Sequence, residues 1–361
     1  MIRWRSGTVH AVRREWAGAI ELEVVLDGDG GGGEKVRGLA YPALVGRPEP
    51  GDAVLLNTTA LAMGLGTGGY ALVVAVPDRL PPDPAGPGHL VKARYTPLQT
   101  TVLGVDEQDS PHHATLAAAT GVDGMPVVVA DLHSALPAVL AGLRADRPRA
   151  RVAYVMTDGG TLPLWFSRTV AGLAEAGWLA GTVTVGQAFG GDLEAVTTHS
   201  GLLAARHVLG ADVAVVTQGP GNLGTGTPWG FSGVAAGEAV NAAGALGGRP
   251  VAALRISDTD PRDRHRGVSH HSLTAYGRVA YAPADVVLPL GLDALLAARV
   301  FGQVRALRDR HRVVEVATGG LDAALRASPV PLSTMGRGLA EDHAYFLASA
   351  AAGRHAAALL G

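Results

Sequence analysis

The chain has 361 residues, of which 47% are hydrophobic and 17% charged, and its formal net charge is −2. This composition is typical of a globular protein of about two domains, and the near-neutral charge does not indicate a nucleic-acid or membrane partner. There is no cysteine, and the only lysines are Lys35 and Lys92. Thiolate chemistry and iron–sulfur clusters are therefore excluded, and the scarcity of lysine argues against pyridoxal phosphate (PLP).

The residues from Met1 to Trp16 mix charged and apolar side chains, which does not fit a secretory signal. No run of about 18 apolar residues follows anywhere in the chain. We therefore expect a cytoplasmic protein without a membrane span.

Residues 1–80 predict a small β-barrel or sandwich, because short apolar stretches are separated by glycine-rich or Pro-Gly turns. The predicted strands are Ser6–Val12, Ile20–Leu26, Val36–Leu44, Ala53–Leu56 and Tyr70–Val76. Asp27–Gly33 is interpreted as a hairpin tip and Gly64–Gly69 as a tight loop. Proline and glycine then dominate from Pro81 to Gly88, so residues 81–125 are interpreted as a linker and connecting segment.

Residues 126–361 alternate apolar strands with Ala- and Leu-rich helical segments, which predicts a Rossmann-like α/β domain. Its fold class is a doubly wound, mostly parallel sheet covered on both faces. The predicted strands are Pro126–Ala130, Arg151–Met156, Thr182–Val185, Asp212–Val216, Pro250–Ile256, Asp285–Pro289 and His311–Val316. The composition of Glu341–Leu360 predicts a C-terminal helix that docks on this domain.

Polar residues follow five successive strands of this domain. In chain order they are Asp131 and His133, Asp158, Gly190 to Asp192, the glycine-rich loop from Gly219, and the Arg/His stretch from Arg262 to Ser272. Ligands bind at the carboxyl ends of parallel strands, so these loops predict a shared crevice. Each residue taken alone is also a common cap or turn former.

The loop after the fourth strand, Gly219-Pro-Gly-Asn-Leu-Gly224, matches the letters of a dinucleotide-binding fingerprint. Its prolines delay the next helix until about Phe231, and Glu238 falls inside that helix instead of ending a strand. A Walker lysine is absent. The loop is either structural or a phosphate cradle whose ligand-binding residues are Gly219, Gly221, Asn222, Gly224 and Thr225, together with Gly190 and Gly191 from the preceding loop.

The segment Asp131-Leu132-His133 is similar to the first motif of metallophosphoesterases, with Gly191-Asp192, Gly221-Asn222 and His270-His271 in the later positions. That family binds two divalent metals through Asp and His ligands. The histidine expected after Gly-Asn is missing, and the spacings are long. On this hypothesis Asp131, His133 and Asp192 hold a divalent metal.

The stretch Arg262–Ser272 has three interpretations: an anion site, a metal or acid/base histidine, and a solvated loop. Neighbouring side chains diverge, so we expect at most one of His270 and His271 to point inward. Ser269 is predicted to cap a short helix that begins at His270. Together with Arg262, Arg264 and Arg266, this helix start would form an anion site from backbone amides and guanidiniums. The anion site is favoured over a metal held by paired histidines.

Several longer segments resemble the uncharacterised bacterial family named domain of unknown function 3866. They are YVMTDGGTLPL (154–164), GQAFGGDLEAV (186–196), GPGNLGTGTPWGFSG (219–233), RHRGVSHHSLTA (264–275) and STMGRG (333–338). The resemblance covers nearly the whole chain and implies no activity.

The leading hypothesis is an enzyme that acts on a small phosphorylated or anionic metabolite by metal-assisted hydrolysis. Asp131, His133, Asp158 and Asp192 would bind a divalent metal or transfer protons, and His270 or His271 would act as acid or base. The glycine loop, Arg264 and Arg266 would hold the anion. Two other hypotheses stay open: a non-enzymatic nucleotide- or anion-binding regulatory module, and a structural or assembly protein. A homo-oligomer is compatible with all three.

Overall fold

The computed structural model describes residues 1–28, 33–64, 66 and 68–361. The chain divides into two compact units, Met1–Val102 and Leu103–Gly361. The predicted linker 81–125 is shared between them. The predicted turns Asp27–Gly33 and Gly64–Gly69 lie partly outside the described residues.

The first unit contains a closed five-stranded barrel of order β1-β2-β3-β5-β4, in which β4 pairs with β1. The strands are β1 (Trp4–Trp16), β2 (Ala19–Leu26), β3 (Lys35–Ala40), β4 (Ala53–Asn57) and β5 (Ala71–Ala75). All pairs are antiparallel except β3 with β5. The architecture resembles five-stranded Greek-key barrels of the OB-fold kind. The predicted small barrel is therefore confirmed.

Alternating apolar residues fill the barrel, among them Val9, Leu22, Val24 and Leu56. The predicted third strand ends early, at Ala40, because Pro42 starts a helical turn. Among its described residues this unit also has α1 (Pro42–Val45), α2 (Thr59–Ala62) and the paired strands β6 (Leu90–Lys92) and β7 (Thr100–Val102).

The second unit is built on an eight-stranded sheet of order β11-β10-β9-β12-β8-β13-β16-β17, parallel throughout. Its strands are β8 (Pro126–Val129), β9 (Val152–Thr157), β10 (Gly181–Val185), β11 (Leu193–Ala195), β12 (Val213–Gln218), β13 (Arg249–Ala253), β16 (Asp285–Pro289) and β17 (Arg312–Val316). Two small antiparallel pairs accompany it: β14 (Ile256–Ser257) with β15 (Gly267–Val268), and β18 (Ser333–Thr334) with β19 (Arg337–Gly338). The predicted doubly wound sheet is confirmed.

Helices cover both faces of this sheet. One face carries α3 (His113–Ala118), α6 (Thr198–His207), α7 (Ala235–Ala245), α8 (His270–Thr274) and α9 (Ala294–Val304). The other carries α4 (Leu136–Asp146), α5 (Arg168–Glu175), α10 (Leu321–Arg326) and α11 (His343–Ala358). Within the described residues, no helix has both the length and the apolar character needed to cross a membrane.

The C-terminal helix α11 is a core element rather than a surface attachment. It packs so closely on α4 that a Cβ added to Gly142 would lie 1.9 Å from the carbonyl oxygen of Ala350. The same distance would separate a Cβ on Gly353 from the carbonyl oxygen of Val139. Glycine at both positions lets the two backbones meet.

The strand order places the candidate loops. Strand β12 inserts between β9 and β8, and β13 flanks β8 on its other side. The loops that leave β12, β8 and β13 therefore emerge side by side, roughly 5 Å apart per strand. This is the switch point at which open α/β sheets bind ligands.

Candidate functional site

Three strand exits meet around Asp131, the second residue after β8. The side chain of Gln218, the last residue of β12, donates from Nε2 to the carbonyl oxygen of Asp131 at 2.6 Å. A narrow cavity beside them is lined by Asp131, Thr157, Gln218 and Ser232 together with apolar residues. The third exit, from β13, leads through Arg255 to the histidines described next.

Helix α8 begins at His270 because Ser269 caps it. The hydroxyl of Ser269 accepts a hydrogen bond from the backbone N–H of His271 at 3.2 Å. The backbone N–H of Ser269 donates to the carbonyl oxygen of Arg255 at 2.8 Å. The predicted N-cap is confirmed. After Thr274 the helix continues as a π-helical turn, Ala275–Val279, a distortion often found at functional sites.

His265, His270 and His271 form a histidine cluster. Each offers one ring nitrogen within 4.8 Å of the other two, and the ring centroids of His270 and His271 are 4.4 Å apart. The expectation that only one of the neighbouring histidines points inward was wrong. Their Cβ atoms leave the helix in different directions, but an imidazole is long enough to turn back toward its neighbour in a first helical turn. His265 and His271 are buried, so the solvated-loop interpretation does not hold for them.

Several polar atoms of the site are buried without a hydrogen-bond partner among the described residues. They are Nε2 of His270, Nδ1 of His271, Oδ2 of Asp131 and Oε1 of Gln218. Nδ1 of His271 lies 3.8 Å from Oδ2 of Asp131, which is too long for a hydrogen bond. In contrast, Nδ1 of His265 shares a 2.8 Å hydrogen bond with the Ser269 hydroxyl. Buried polar atoms without partners are rare in folded proteins, and a bound ion, an ordered water or a catalytic role accounts for many of them.

The environment keeps the histidines neutral. Burial, and next the charges of Arg255 and Arg262, lowers the pKa of His265 to about 3. Burial, and next His270, lowers the pKa of His271 to about 2, and the pKa of His270 is lowered by burial and by Arg264. Burial raises the pKa of Asp131, partly opposed by Arg255. Neutral imidazoles are the form that binds metal ions.

A single zinc-like ion fits this donor set. A tetrahedral zinc site with imidazole ligands holds its ligand atoms about 3.3 Å apart, so the three rings would close by about 1.5 Å at most. Three nitrogen ligands with one open position are typical of catalytic zinc. The three imidazoles are softer ligands than the Asp-rich set predicted from the sequence. That predicted set would suit magnesium or manganese instead.

A charge cluster around Asp260 lies next to the histidines. The carboxylate of Asp260 is fully buried and accepts from Arg255, Arg262 and Arg337 at 2.9 to 3.3 Å. Burial acts in the opposite direction, but the hydrogen bonds from Arg262 hold the pKa of Asp260 well below its usual range. The Nε of Arg266 donates to the carbonyl oxygen of Asp260, so this predicted anion-binding residue has a structural bond.

The glycine-rich loop uses most of its polar groups internally. The N–H of Thr225 donates to the carbonyl oxygen of Gly230, and that of Leu223 to the Ser232 hydroxyl. Oδ1 of Asn222 accepts from Nε2 of Gln218, from the Ser232 hydroxyl and from the N–H of Gly233. These amides are not available to cradle a phosphate. Of the other residues predicted there, Gly219 donates to the carbonyl of Thr157, while Gly221 and Gly224 are exposed backbone.

The structure places the predicted residues of the third loop elsewhere. Oδ2 of Asp192 accepts from the N–H and hydroxyl of Thr182, at the amino end of β10, because the short strand β11 begins just after it. Asp192 therefore lies at the opposite edge of the sheet from Asp131. The amide of Gly190 donates to Glu194 and that of Gly191 to Thr184.

Asp158 and His133 are also outside the histidine cluster. Oδ2 of Asp158 accepts from the N–H of Gln187, in the loop that follows β10, at 2.9 Å. His133 has both ring nitrogens in hydrogen bonds, to Tyr154 at 2.9 Å and to Ser167 at 2.7 Å. Burial lowers the pKa of His133 to about 4. It is a satisfied core histidine.

Sequence reasoning missed His265 and Phe231 as site residues. The Phe231 ring stacks on His271 with centroids 3.8 Å apart and planes at 2°. A third histidine five residues before a pair was the available signal for His265. Nothing in the sequence links Phe231 to the pair, because the contact depends on the neighbouring exits of β12 and β13.

These features define an α/β protein with a second, β-barrel unit and a mostly buried histidine cluster at the carboxyl edge of its parallel sheet. The chain belongs to the family described as "Protein of unknown function (DUF3866)", whose model matches residues 37–353. No curated protein and no solved structure matches the chain.

Proposed function

We propose that the protein is a metal-dependent hydrolytic enzyme with one divalent ion held by His265, His270 and His271. The observation that carries the proposal is the convergence of three neutral, mostly buried imidazoles whose nitrogens lack partners at His270 and His271. A buried polar cluster of this kind is costly without a ligand. An ion bound by the three rings would give each histidine a partner at one ring nitrogen.

The side chains around the ion have separate roles. The hydroxyl of Ser269 holds the ring of His265 through Nδ1, as outer groups commonly do for metal-bound histidines. Phe231 holds the plane of His271. A divalent ion bound here supplies a Lewis acid that lowers the pKa of a water molecule and polarises the substrate.

Asp131 is the proposed general base. Its free Oδ2 faces Nδ1 of His271 at 3.8 Å, beside the narrow cavity at the end of β8. Burial raises the pKa of its carboxyl group, which makes it a better proton acceptor. The hydrogen bond from Gln218 to its carbonyl oxygen fixes its backbone. Asp131 would take the proton from the attacking water and return it to the leaving group.

Metal binding tests the site directly. The full chain is purified, stripped with a chelator and titrated with Co²⁺, whose visible absorption reports imidazole coordination, and with Zn²⁺ in a calorimeter. We expect one ion per chain, and His270→Ala should weaken binding by more than about 100-fold. His199→Ala, an exposed histidine on α6, is the matched control and should bind as the wild type does.

Activity is then screened on a panel of phosphoesters and carboxylic esters with and without Mg²⁺, Mn²⁺ and Zn²⁺. Turnover should need the ion that binds and should be lost in His270→Ala and Asp131→Asn. Equal metal affinity in wild type and His270→Ala would overturn the proposed site. Tight binding without turnover of any ester would overturn the hydrolase and leave a metal-binding module.

A further inference from the structure

Arg264 differs from the other arginines around the histidine cluster. Arg255, Arg262 and Arg337 are committed to Asp260, and Arg266 donates to the carbonyl of the same residue. The guanidinium of Arg264 forms no hydrogen bond or ion pair with any residue in the part of the chain that the structure describes. Its full set of donors is therefore available to a ligand.

The position of Arg264 puts these donors beside the histidine cluster, on the exposed side of the turn. It precedes the buried His265 in the same 3₁₀ turn, yet is itself exposed. Its charge acts on His270, whose pKa it lowers after burial. A Cβ added to Gly226 would lie 4.0 Å from an Arg264 guanidinium nitrogen. Arg264 thus lies between the histidines and the glycine-rich loop.

Both ends of that loop are fixed to the site. Asn222, at its start, is bonded to the side chain of Gln218, which holds Asp131. Phe231, at its end, stacks on His271. Between them the hydrogen bond from Thr225 to Gly230 closes the loop. The loop is therefore an ordered rim of the site.

The rim exposes large apolar side chains. Leu223 is 69% exposed and Trp229 is 55% exposed, although the loop has its own hydrogen-bonded framework. Trp229 is held by Arg278, whose guanidinium carbon lies 5.7 Å from the ring centroid. Exposed apolar groups beside a polar site are typical of ligand recognition.

We infer that the substrate is a small oxyanion attached to an apolar, preferably aromatic, body. The oxyanion binds the guanidinium of Arg264, whose planar fork matches phosphoryl and carboxylate oxygens. The apolar body contacts Trp229 and Leu223 on the rim. This inference rests on the proposed function for the reacting centre, but the two fail in distinguishable ways.

The test uses three anions that are not hydrolysed. Phenylphosphonate has both a phosphonate and an aromatic ring, methylphosphonate lacks the ring, and benzoate has a carboxylate in place of the phosphonate. Each is titrated calorimetrically into the full chain, with and without Co²⁺. Phenylphosphonate or benzoate should bind, and whichever binds more tightly identifies the oxyanion. Arg264→Ala should weaken binding about 10- to 100-fold, and Arg264→Lys should restore only part of it because the fork is lost.

Matched variants separate the two contacts. Trp229→Ala should reduce the advantage of phenylphosphonate over methylphosphonate about 2- to 10-fold and leave methylphosphonate unchanged. Arg326→Ala removes an exposed arginine at the end of α10, on the opposite face of the sheet, and should change nothing. Retained Co²⁺ affinity in every variant shows that the cluster is folded.

The outcomes are separable. Oxyanion binding that depends on Arg264 supports the inference with or without Co²⁺. Co²⁺ binding with no affinity for phenylphosphonate or benzoate, or with equal affinity in Arg264→Ala, overturns the inference and leaves the metal site standing. Absence of Co²⁺ binding overturns the proposed function, and the metal-free titrations still decide the oxyanion site.

Discussion

The ring of Phe231 lies parallel to the ring of His271, with 3.8 Å between centroids and 2° between planes. The two residues come from different strand exits, one after β12 and the other after β13. The stack therefore joins the glycine-rich rim to the proposed metal ligand. A substitution of Phe231 should therefore change the affinity of the proposed metal site.

We predict that Phe231→Leu weakens Co²⁺ binding about 2- to 10-fold, because an aromatic pair of this kind contributes about 0.5–1.5 kcal/mol beyond its buried area. Phe231→Tyr should retain most of the affinity. Phe301→Leu on α9, a partly exposed phenylalanine, is the control. Unchanged binding in Phe231→Leu would show that His271 is oriented by other contacts.

Asp131→Asn should separate stability from activity. In the metal-free protein the free energy of unfolding should rise by about 1–3 kcal/mol, because a buried carboxylate without a partner at Oδ2 is replaced by a neutral amide. Hydrolysis should be lost because asparagine cannot accept the proton that the carboxylate of Asp131 is proposed to take from water. Urea unfolding in the presence of a chelator measures the first effect.

The stability gained by Asp131→Asn should depend on pH, and the direction of this dependence follows from the raised pKa of Asp131. The folded state holds this proton more tightly than the unfolded chain, whose carboxyl has a pKa of 3.8. The cost of ionising Asp131 therefore appears as the pH rises above 3.8, and the advantage of asparagine grows in the same direction. A gain that is largest at low pH would contradict this account.

Asp260→Asn should be strongly destabilising, by about 3–5 kcal/mol, since it leaves the buried Arg255 without its carboxylate partner. Arg262 and Arg337 lose the same partner. Asp263→Asn breaks the exposed contact with Arg299 and should cost less than about 1 kcal/mol. Thermal unfolding of the two variants side by side is the measurement, and similar melting temperatures would refute the difference.

Two glycines in helices should respond oppositely to alanine. Gly142→Ala forces a Cβ against the carbonyl of Ala350 and should destabilise the protein by about 3 kcal/mol or more. Gly302→Ala, within α9, meets nothing within 4 Å and should stabilise it by about 0.5–1 kcal/mol. Destabilisation by both variants would mean that local helix packing is not the cause.

Much of the fold follows from the sequence, because the strands are continuous apolar runs bounded by glycine or proline. The barrel, the parallel sheet and the cap at Ser269 were all predicted from such local signals. Strand β11 escaped prediction because it has only three residues, Leu193–Ala195, with the buried Glu194 at its centre. That omission also explains the position of Asp192, which precedes a strand and does not follow one.

The candidate site was predictable only in part. Asp131 and the Arg/His stretch were recognised because each follows a predicted strand, and ligands bind at the carboxyl ends of parallel strands. That inference needs no knowledge of which strands are adjacent in the sheet. Whether two exits touch depends on strand order, which local patterns do not encode. His133 illustrates the limit, since its partners Tyr154 and Ser167 come from β9 and the residue that caps α5.

The insertion of β12 between β8 and β9 also dictates an order of assembly. During synthesis β8 and β9 emerge first and each keeps an unpaired edge until residue 218 has left the ribosome, so the nascent domain exposes strands that invite wrong pairing. The histidines emerge some fifty residues later still. If they bind an ion as proposed, the three ligands become available only after β12 and β13, the strands on both sides of β8, have been synthesised, and before β16 and β17 follow.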